Sequence, residues 1–300
     1  VKKLLYIPLG WQTKAHPELF ESFCKEFITY EHEDLEQSIN FFPDYIYVQS
    51  GAIEPHILAE IKSATNATVI QWTGDCRTEC MDNVSQYKHI ADLTLLAVGI
   101  GQREMYEKAL GHPVKYLQQG VLKSFFLEPQ NLESGAIVFI GNNYNQFEGA
   151  VERTKLCATL SESFSQFEVI GNGFNMPQFN NSRSIDYMQS PKIYNEAYIS
   201  ISHACFNDIV GYYSNRTLDI MASGGCCLMR RVPNIENMFK DMEHCVFYNT
   251  NEEAIEKIKM LIANPQLRNA IAISGQIEVL KYHSFDHRVL EIKTKIKNWL

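Results

Sequence analysis

Short apolar runs alternate with longer segments whose apolar residues recur every three or four positions, from one end of the chain to the other. The first run, Lys3 to Leu9, predicts a strand that ends at Gly10. Leu19, Phe20, Phe23 and Phe27 fall on one side of a helix over Pro17–Tyr30. A strand over Asp44–Gly51, a helix over Glu54–Ala64 and the strand ATVIQWTGD follow. A strand over Ala91–Val98, a helix over Gln102–Leu110 and a short strand over Pro113–Gln118 complete this half. Such strands read as continuous Val, Ile and Leu runs, as strands buried on both faces do. Strands alternating with helices imply a parallel sheet with helices on both faces.

The rhythm breaks at Gln119–Gly135, a polar stretch with one proline and no clear period, which reads as an interdomain linker. It restarts at Ala136 with AIVFIGNNY, then a helix over about Glu148–Ser163 and the strand FEVIGNGF. A short helix over Pro191–Ala197 and the strand YISISHA come next. Gly211–Arg230 reads as loop, helix and buried strand. Ser214 or Asn215 is placed to cap the helix, and Gly224 and Gly225 to end it. EHCVFYNT is a further strand, two helices meet at Asn264-Pro265, and Phe285–Leu300 is a last helix. The expected organisation is therefore two Rossmann-like α/β domains, residues 1–120 and 136–284, a linker over 121–135, and a last helix over 285–300.

Composition changes this picture little. Three hundred residues with 45% hydrophobic and 21% charged residues suit two medium globular domains. No apolar run is long enough to span a bilayer, and VKKLLYIPLGW lacks the features of a signal peptide. The eight cysteines are scattered without a C-x-x-C pair, which fits reduced thiols in a cytoplasmic protein better than a disulfide framework. Cys76 and Cys80 have no partner pair for zinc. The net charge of −8 counts against a broad nucleic-acid footprint, while leaving room for a local basic groove within an acidic remainder.

The candidate chemistry collects at strand ends, where open α/β sheets hold ligands. In the second half, Gly141, Asn142 and Asn143 follow one strand, and Gly171, Gly173 and Phe174 another. These glycines would let backbone N–H groups approach a phosphate or sugar, and Phe174 is placed to pack on a base, although for Gly171 and Gly173 a tight turn is the more frequent cause. Tyr212, Tyr213, Ser214 and Asn215 lead into a helix that carries Arg216 and Asp219 in its first turn or so. A helix N-terminus with a cation and a carboxylate suits an anionic, hydroxyl-rich ligand; a surface salt bridge three residues apart is the alternative. His203 ends a strand and can face the ligand or simply be a satisfied polar residue. In the first half, Gly10, Trp11, His16, Ser50, Gly51 and Asp75 lie at or after strand ends. Asp75 could take a proton from a bound hydroxyl or cap the following helix.

NRTLDIMASGGCCL resembles the segment R-x-x-E-x-x-A-x-G of GT-B glycosyltransferases, in particular the CgeB-like, spore-maturation type family, which is related to glycosyltransferase family 4. QGVLKSFFLEP resembles the family's domain-boundary motif, with Lys123 in place of an acidic residue, and HSFDHRVLEI resembles its closing H-(T/S)-(W/F/Y)-x-x-R. The resemblance implies two domains facing across a cleft, with a nucleoside-diphosphate sugar held by the second, the acceptor held on the side of Gly10, Trp11, His16, Ser50, Gly51 and Asp75 in the first, and the last helix crossing back over the first domain. Arg216 would contact the diphosphate and Asp219, in the place of a Glu, the ribose hydroxyls. One departure stands out: the family 4 pattern has a first Glu eight residues before the second, and that position here is Gly211.

The resemblance further implies transfer of a hexosyl or pentosyl group to an acceptor hydroxyl, with Arg216 and the helix N-terminus stabilising the departing diphosphate in place of a metal. No D-x-D motif is present and no metal or other cofactor is expected. Three other readings remain open: a nucleotide-sugar-binding module without activity, a sugar-nucleotide epimerase, and a phage-type transferase acting on modified DNA bases.

Overall fold

The computed structural model describes residues 3–9, 26–29, 34–74, 77–174, 176–179 and 183–299. These fall into two compact units, residues 1–120 with 285–300, and residues 121–284.

The first unit is built on six parallel strands: β1 (Lys3–Ile7), β2 (Glu26–Thr29), β3 (Tyr45–Gln49), β4 (Thr68–Thr73), β5 (Leu93–Leu96) and β6 (Val114–Tyr116). Their order across the sheet is β2-β1-β3-β4-β5-β6. Successive side chains point to opposite faces, and both faces are covered. Leu4, Tyr6, Tyr45 and Tyr47 face one core together with Val289, Ile292 and Ile296, which belong to α10 (Phe285–Trp299). Leu5, Ile7, Ile46 and Val48 face the other with Leu58 and Ile61 of α2 (Pro55–Thr65). The last helix thus completes the hydrophobic core of the first sheet. Arg288 fastens it, its Nε donating to Gln119 O (3.1 Å) and its Nη2 to Gln118 Oε1 (3.1 Å).

Two elements here differ from the pattern-based expectation. The helix expected over Pro17–Tyr30 gives way, over Glu26–Thr29, to strand β2, which pairs in parallel with Lys3–Tyr6; residues 10–25 and 30 lie outside the described part. Pairing along a sheet edge overrides the helical spacing of a segment containing Phe, Ile and Thr. In addition α1 (Leu35–Phe41) and a four-residue helix, α3 (Asp82–Ser85), precede α4 (Arg103–Leu110) without a periodic signal of their own.

The second unit holds a five-stranded parallel sheet of β7 (Ile137–Ile140), β8 (Phe167–Ile170), β9 (Ile199–Ser202), β10 (Cys227–Arg230) and β11 (Val246–Tyr248). The strand order is β11-β10-β9-β7-β8. Its helices are α5 (Glu148–Ser163), α6 (Ser190–Glu196), α7 (Asn215–Ala222), α8 (Asn251–Ala263) and α9 (Pro265–Tyr282). Phe139, Leu156, Leu160, Ile199, Leu228, Val246 and Ile258 form the centre of one core. The segment expected to be a polar linker is pinned to this unit. Val121 N–H donates to His283 O (3.0 Å), Phe125 is fully buried, and Asn195 Nδ2 and Gln276 Nε2 donate to the carbonyls of Glu128 (2.9 Å) and Leu127 (2.6 Å). Among the described residues no helix is long and apolar enough to cross a membrane.

Candidate functional site

In the second sheet, β7 and β9 are neighbours, yet the chain leaves β7 for β8 on one side and returns to β9 on the other. The loops that follow β7 and β9 therefore diverge, and that switch point is where a parallel sheet offers space to a ligand. Arg216, in the first turn of α7, reaches this point. Its Nε donates to Ile140 O at the end of β7 (2.5 Å), and its Nη1 to His203 O just beyond β9 (3.2 Å). One guanidinium thus ties together the two diverging strand ends. It also lies over the Phe139 ring, 4.6 Å from the centroid.

The glycines beside it are there because nothing larger fits. Gly141 has φ +155°, and a Cβ on it would collide with the Arg216 guanidinium. Gly171 has φ +141°, and a Cβ there would meet the Gly141 carbonyl. The two loops are knitted by Gly141 N–H to Ile170 O (2.8 Å), Asn143 N–H to Asn172 O (2.8 Å) and Asn172 N–H to Asn142 Oδ1 (2.9 Å). Asn143 is buried, its Nδ2 donating to Thr154 Oγ1 (2.7 Å). Gly173, at φ +86°, packs against the Asn143 backbone. Phe174 is a core residue, edge-on to Phe139 and Phe179, so its ring is covered rather than offered to a base.

Ser214 occupies the N-cap position of α7, but its side chain makes no capping bond; its Oγ accepts from Arg216 Nη1 (3.4 Å). The first-turn N–H groups are therefore left uncapped by that side chain. Tyr212 is half-buried, and Tyr213 packs edge-on to Phe239. Gly211 has φ +68° and donates its N–H to Pro233 O (2.9 Å). That left-handed turn disfavours a side chain at this position.

Arg216 does not pair with Asp219. Both Asp219 carboxylate oxygens accept from the Tyr187 hydroxyl (3.2 Å each), and Asn215 Nδ2 donates to Tyr187 (3.0 Å) and to Asp219 Oδ1 (3.3 Å). Burial pushes the Asp219 carboxyl up to about 8, against smaller opposing effects of Tyr187 and Arg216. His203 is buried between Tyr248, whose hydroxyl meets its Nδ1 (2.8 Å), and Asn207, whose Nδ2 meets its Nε2 (3.2 Å). Burial, followed by the charges of Arg153, Arg230 and Arg216, pushes His203 down to about 3, so its imidazole is neutral near pH 7.

These two groups give stability opposite pH slopes. His203 stays unprotonated when folded, so stability falls as pH drops from about 6.5 towards 3. Asp219 keeps when folded a proton that the unfolded chain releases near 3.8, so its contribution is lost as pH rises from there through 8. Asp219→Asn is accordingly expected to gain stability relative to the parent between pH 5 and 8, read from denaturant midpoints. A difference that stays constant across that range would mean an ionised carboxylate throughout.

Three site groups carried no weight in the sequence reading: Arg153, Tyr187 and Arg230. Arg153 had a usable signal. It falls in the apolar stripe of α5, three residues after Ala150 and three before Leu156, where a cation is out of pattern. It is 5% exposed and its Nη1 donates to Asn142 O (2.7 Å). Arg230 lies at the end of β10, its Nη1 donating to Tyr248 O (3.4 Å). The strand ends therefore hold three guanidiniums in a chain of net charge −8. Among the described residues none of them forms an ion pair, and no cluster of His, Cys, Asp and Glu is placed to hold a metal ion.

In the first unit, Ser50 is buried at the end of β3. Its Oγ donates to Trp72 O (3.0 Å) and accepts from Gln71 Nε2 (2.9 Å), which makes it part of an internal polar chain continuing to Thr94. Gly51 follows at φ +83°. Gly10, Trp11, His16 and Asp75 lie outside the described residues.

Comparison with solved structures defines the fold class. The chain is similar to Anabaena HepE in complex with UDP and glucose, at TM-score 0.66 and 11% identity, covering 99% of this chain and 100% of that one. It is similar to the sucrose-phosphate synthase of Thermosynechococcus elongatus, at TM-score 0.65 and 12% identity over 99% of both chains. A glycosyltransferase from Rickettsia africae matches at TM-score 0.63 and 12% identity, over 99% of this chain and 98% of that one. The two α/β units thus have the GT-B fold. Residues 152–294, which include Arg216, Asp219 and the closing helix motif, match the family described as glycosyl transferase-like. No curated protein matches the chain.

Proposed function

We propose that this chain is a glycosyltransferase that takes a sugar from a nucleoside-diphosphate donor bound at the β7/β9 switch point of the second unit. The observation that carries the reading is Arg216, held by Ile140 O and His203 O across the diverging strand ends beside an α-helix N-terminus. Bond cleavage at the anomeric carbon leaves negative charge on the diphosphate, and a preorganised guanidinium with uncapped N–H groups stabilises that charge as it forms. The fixed cation would take the place of a divalent metal. Asp219 and its Tyr187–Asn215 partners would receive the ribose hydroxyls, and Asp75 would help to deprotonate the acceptor hydroxyl. The similarity to HepE, whose structures hold UDP, UDP with glucose, and UDP-glucose, supports a uridine nucleotide as the first donor to try. Gly211, where the family 4 pattern has its first Glu, favours one second reading, a nucleotide-sugar-binding module that lacks turnover.

Thermal unfolding of the full chain with UDP, GDP, ADP, CMP and their sugars, with and without EDTA, tests the proposal. A ligand at 100 times its Kd adds about 2.7 kcal/mol, a clear rise in Tm. A rise with one nucleoside diphosphate that survives EDTA is the expected result. Binding without donor hydrolysis or transfer would move the assignment to the binding module, and no binding at all would overturn both.

A further inference from the structure

Building on that donor-site reading, we propose that Arg153 is a second anion-positioning residue of the site, and that with Arg216 it makes the site prefer diphosphate over monophosphate ligands. Arg153 projects from α5 to the same strand end that Arg216 reaches from α7. The two guanidiniums share the Phe139 ring, their centres 5.5 and 4.6 Å from its centroid. Among the described residues Arg153 makes one hydrogen bond, from Nη1 to Asn142 O (2.7 Å), and its buried Nε finds no acceptor there. Asn142 in turn receives Asn172 N–H on its side chain, so Arg153 holds the crest of the loop after β7 and, through it, the loop after β8.

A guanidinium is more than that single bond needs. A neutral amide could hold the Asn142 carbonyl without bringing a charge into the interior, where an unpaired cation is costly. The setting makes the cost larger. Burial, and after it the charge of Arg216, lowers the proton affinity of Arg153, and no carboxylate opposes either effect. Asp219 does not supply the missing countercharge, because its own carboxyl is held protonated well above its ordinary range. An arginine nevertheless stays charged at any working pH. A buried and a half-buried cation at one strand end are thus left for an external anion to neutralise. A diphosphate brings two phosphoryl groups to two guanidiniums, and a monophosphate leaves one of them unmatched.

The test compares the full chain with its Arg153→Gln and Arg153→Lys variants by thermal unfolding and by titration with inorganic pyrophosphate, orthophosphate, and the mono- and diphosphates of one nucleoside, at two salt concentrations. The parent is expected to bind diphosphates more tightly than monophosphates. Arg153→Gln should unfold at the same temperature as the parent or higher without ligand. It should also lose roughly tenfold or more in diphosphate affinity, with little loss for the monophosphate. Arg153→Lys should keep the preference, since it keeps the charge. A lower unfolding temperature for Arg153→Gln with unchanged ligand affinities would reduce Arg153 to a loop clamp and overturn the inference alone. Equal losses for mono- and diphosphate would do the same. If Arg153→Gln does not fold, absence of a diphosphate preference in the parent and the Lys variant overturns it. Failure of the parent to bind any of these anions would overturn the donor-site reading as well.

Discussion

Replacing Arg216 with Gln is expected to lower kcat/KM for the donor by about two to three orders of magnitude, equivalent to roughly 3–4 kcal/mol of transition-state stabilisation. On the proposed donor-site reading two effects combine. The departing diphosphate would lose a fixed cation, and the strand ends would lose the clamp between Ile140 O and His203 O. Arg216→Lys separates them, because an ammonium keeps the charge but not the planar fork that meets both carbonyls. The Lys variant should recover part of the affinity for nucleoside diphosphate while remaining slow. Steady-state kinetics together with equilibrium titration of the diphosphate read both quantities. Unchanged diphosphate affinity in the Gln variant would remove Arg216 from the donor site.

Gly171→Ala is expected to cost about 3 kcal/mol or more of stability, a drop of several degrees in the Tm of the second unit. Its φ of +141° already excludes a comfortable side chain, and the added Cβ would press on the Gly141 carbonyl and the Asn142 backbone. Backbone cannot swing aside as a side chain can. Gly141→Ala makes the contrast, since its new Cβ meets the movable end of Arg216. That variant should lose ligand binding with a smaller loss of stability. Gly111→Ala is the control: its φ is +72°, but nothing lies within 4 Å of the new atom, so a cost of about 1 kcal/mol is expected. A Gly171 variant as stable as the Gly111 variant would show that the two loops yield easily.

The fold was legible because both sheets are parallel and buried on both faces. Runs such as KLLYI and AIVFI have no other comfortable environment, and the proline at Asn264-Pro265 and the glycines at Gly224 and Gly225 marked helix ends. The expectation failed where neighbours outweighed local pattern, as at Glu26–Thr29, whose strand form depends on Lys3–Tyr6 lying alongside. Arg216 was legible through its place in a helix-start motif. Tyr187 was not, because a tyrosine in a loop carries no sign that it will meet a carboxylate thirty-two residues further along. The covered ring of Phe174 was equally hidden, since an aromatic after a glycine loop reads the same whether it faces ligand or core.

The helix over Phe285–Trp299 has a consequence for the order in which this protein can assemble during synthesis. It contributes Val289, Ile292 and Ile296 to the core of the first sheet, yet it leaves the ribosome after every residue of the second unit. Strands β1–β6, although made first, carry an uncovered apolar face throughout the time it takes to translate residues 121–284. The second unit can complete its own core before the first does, and in the meantime that uncovered face of the nascent first unit is open to other apolar partners.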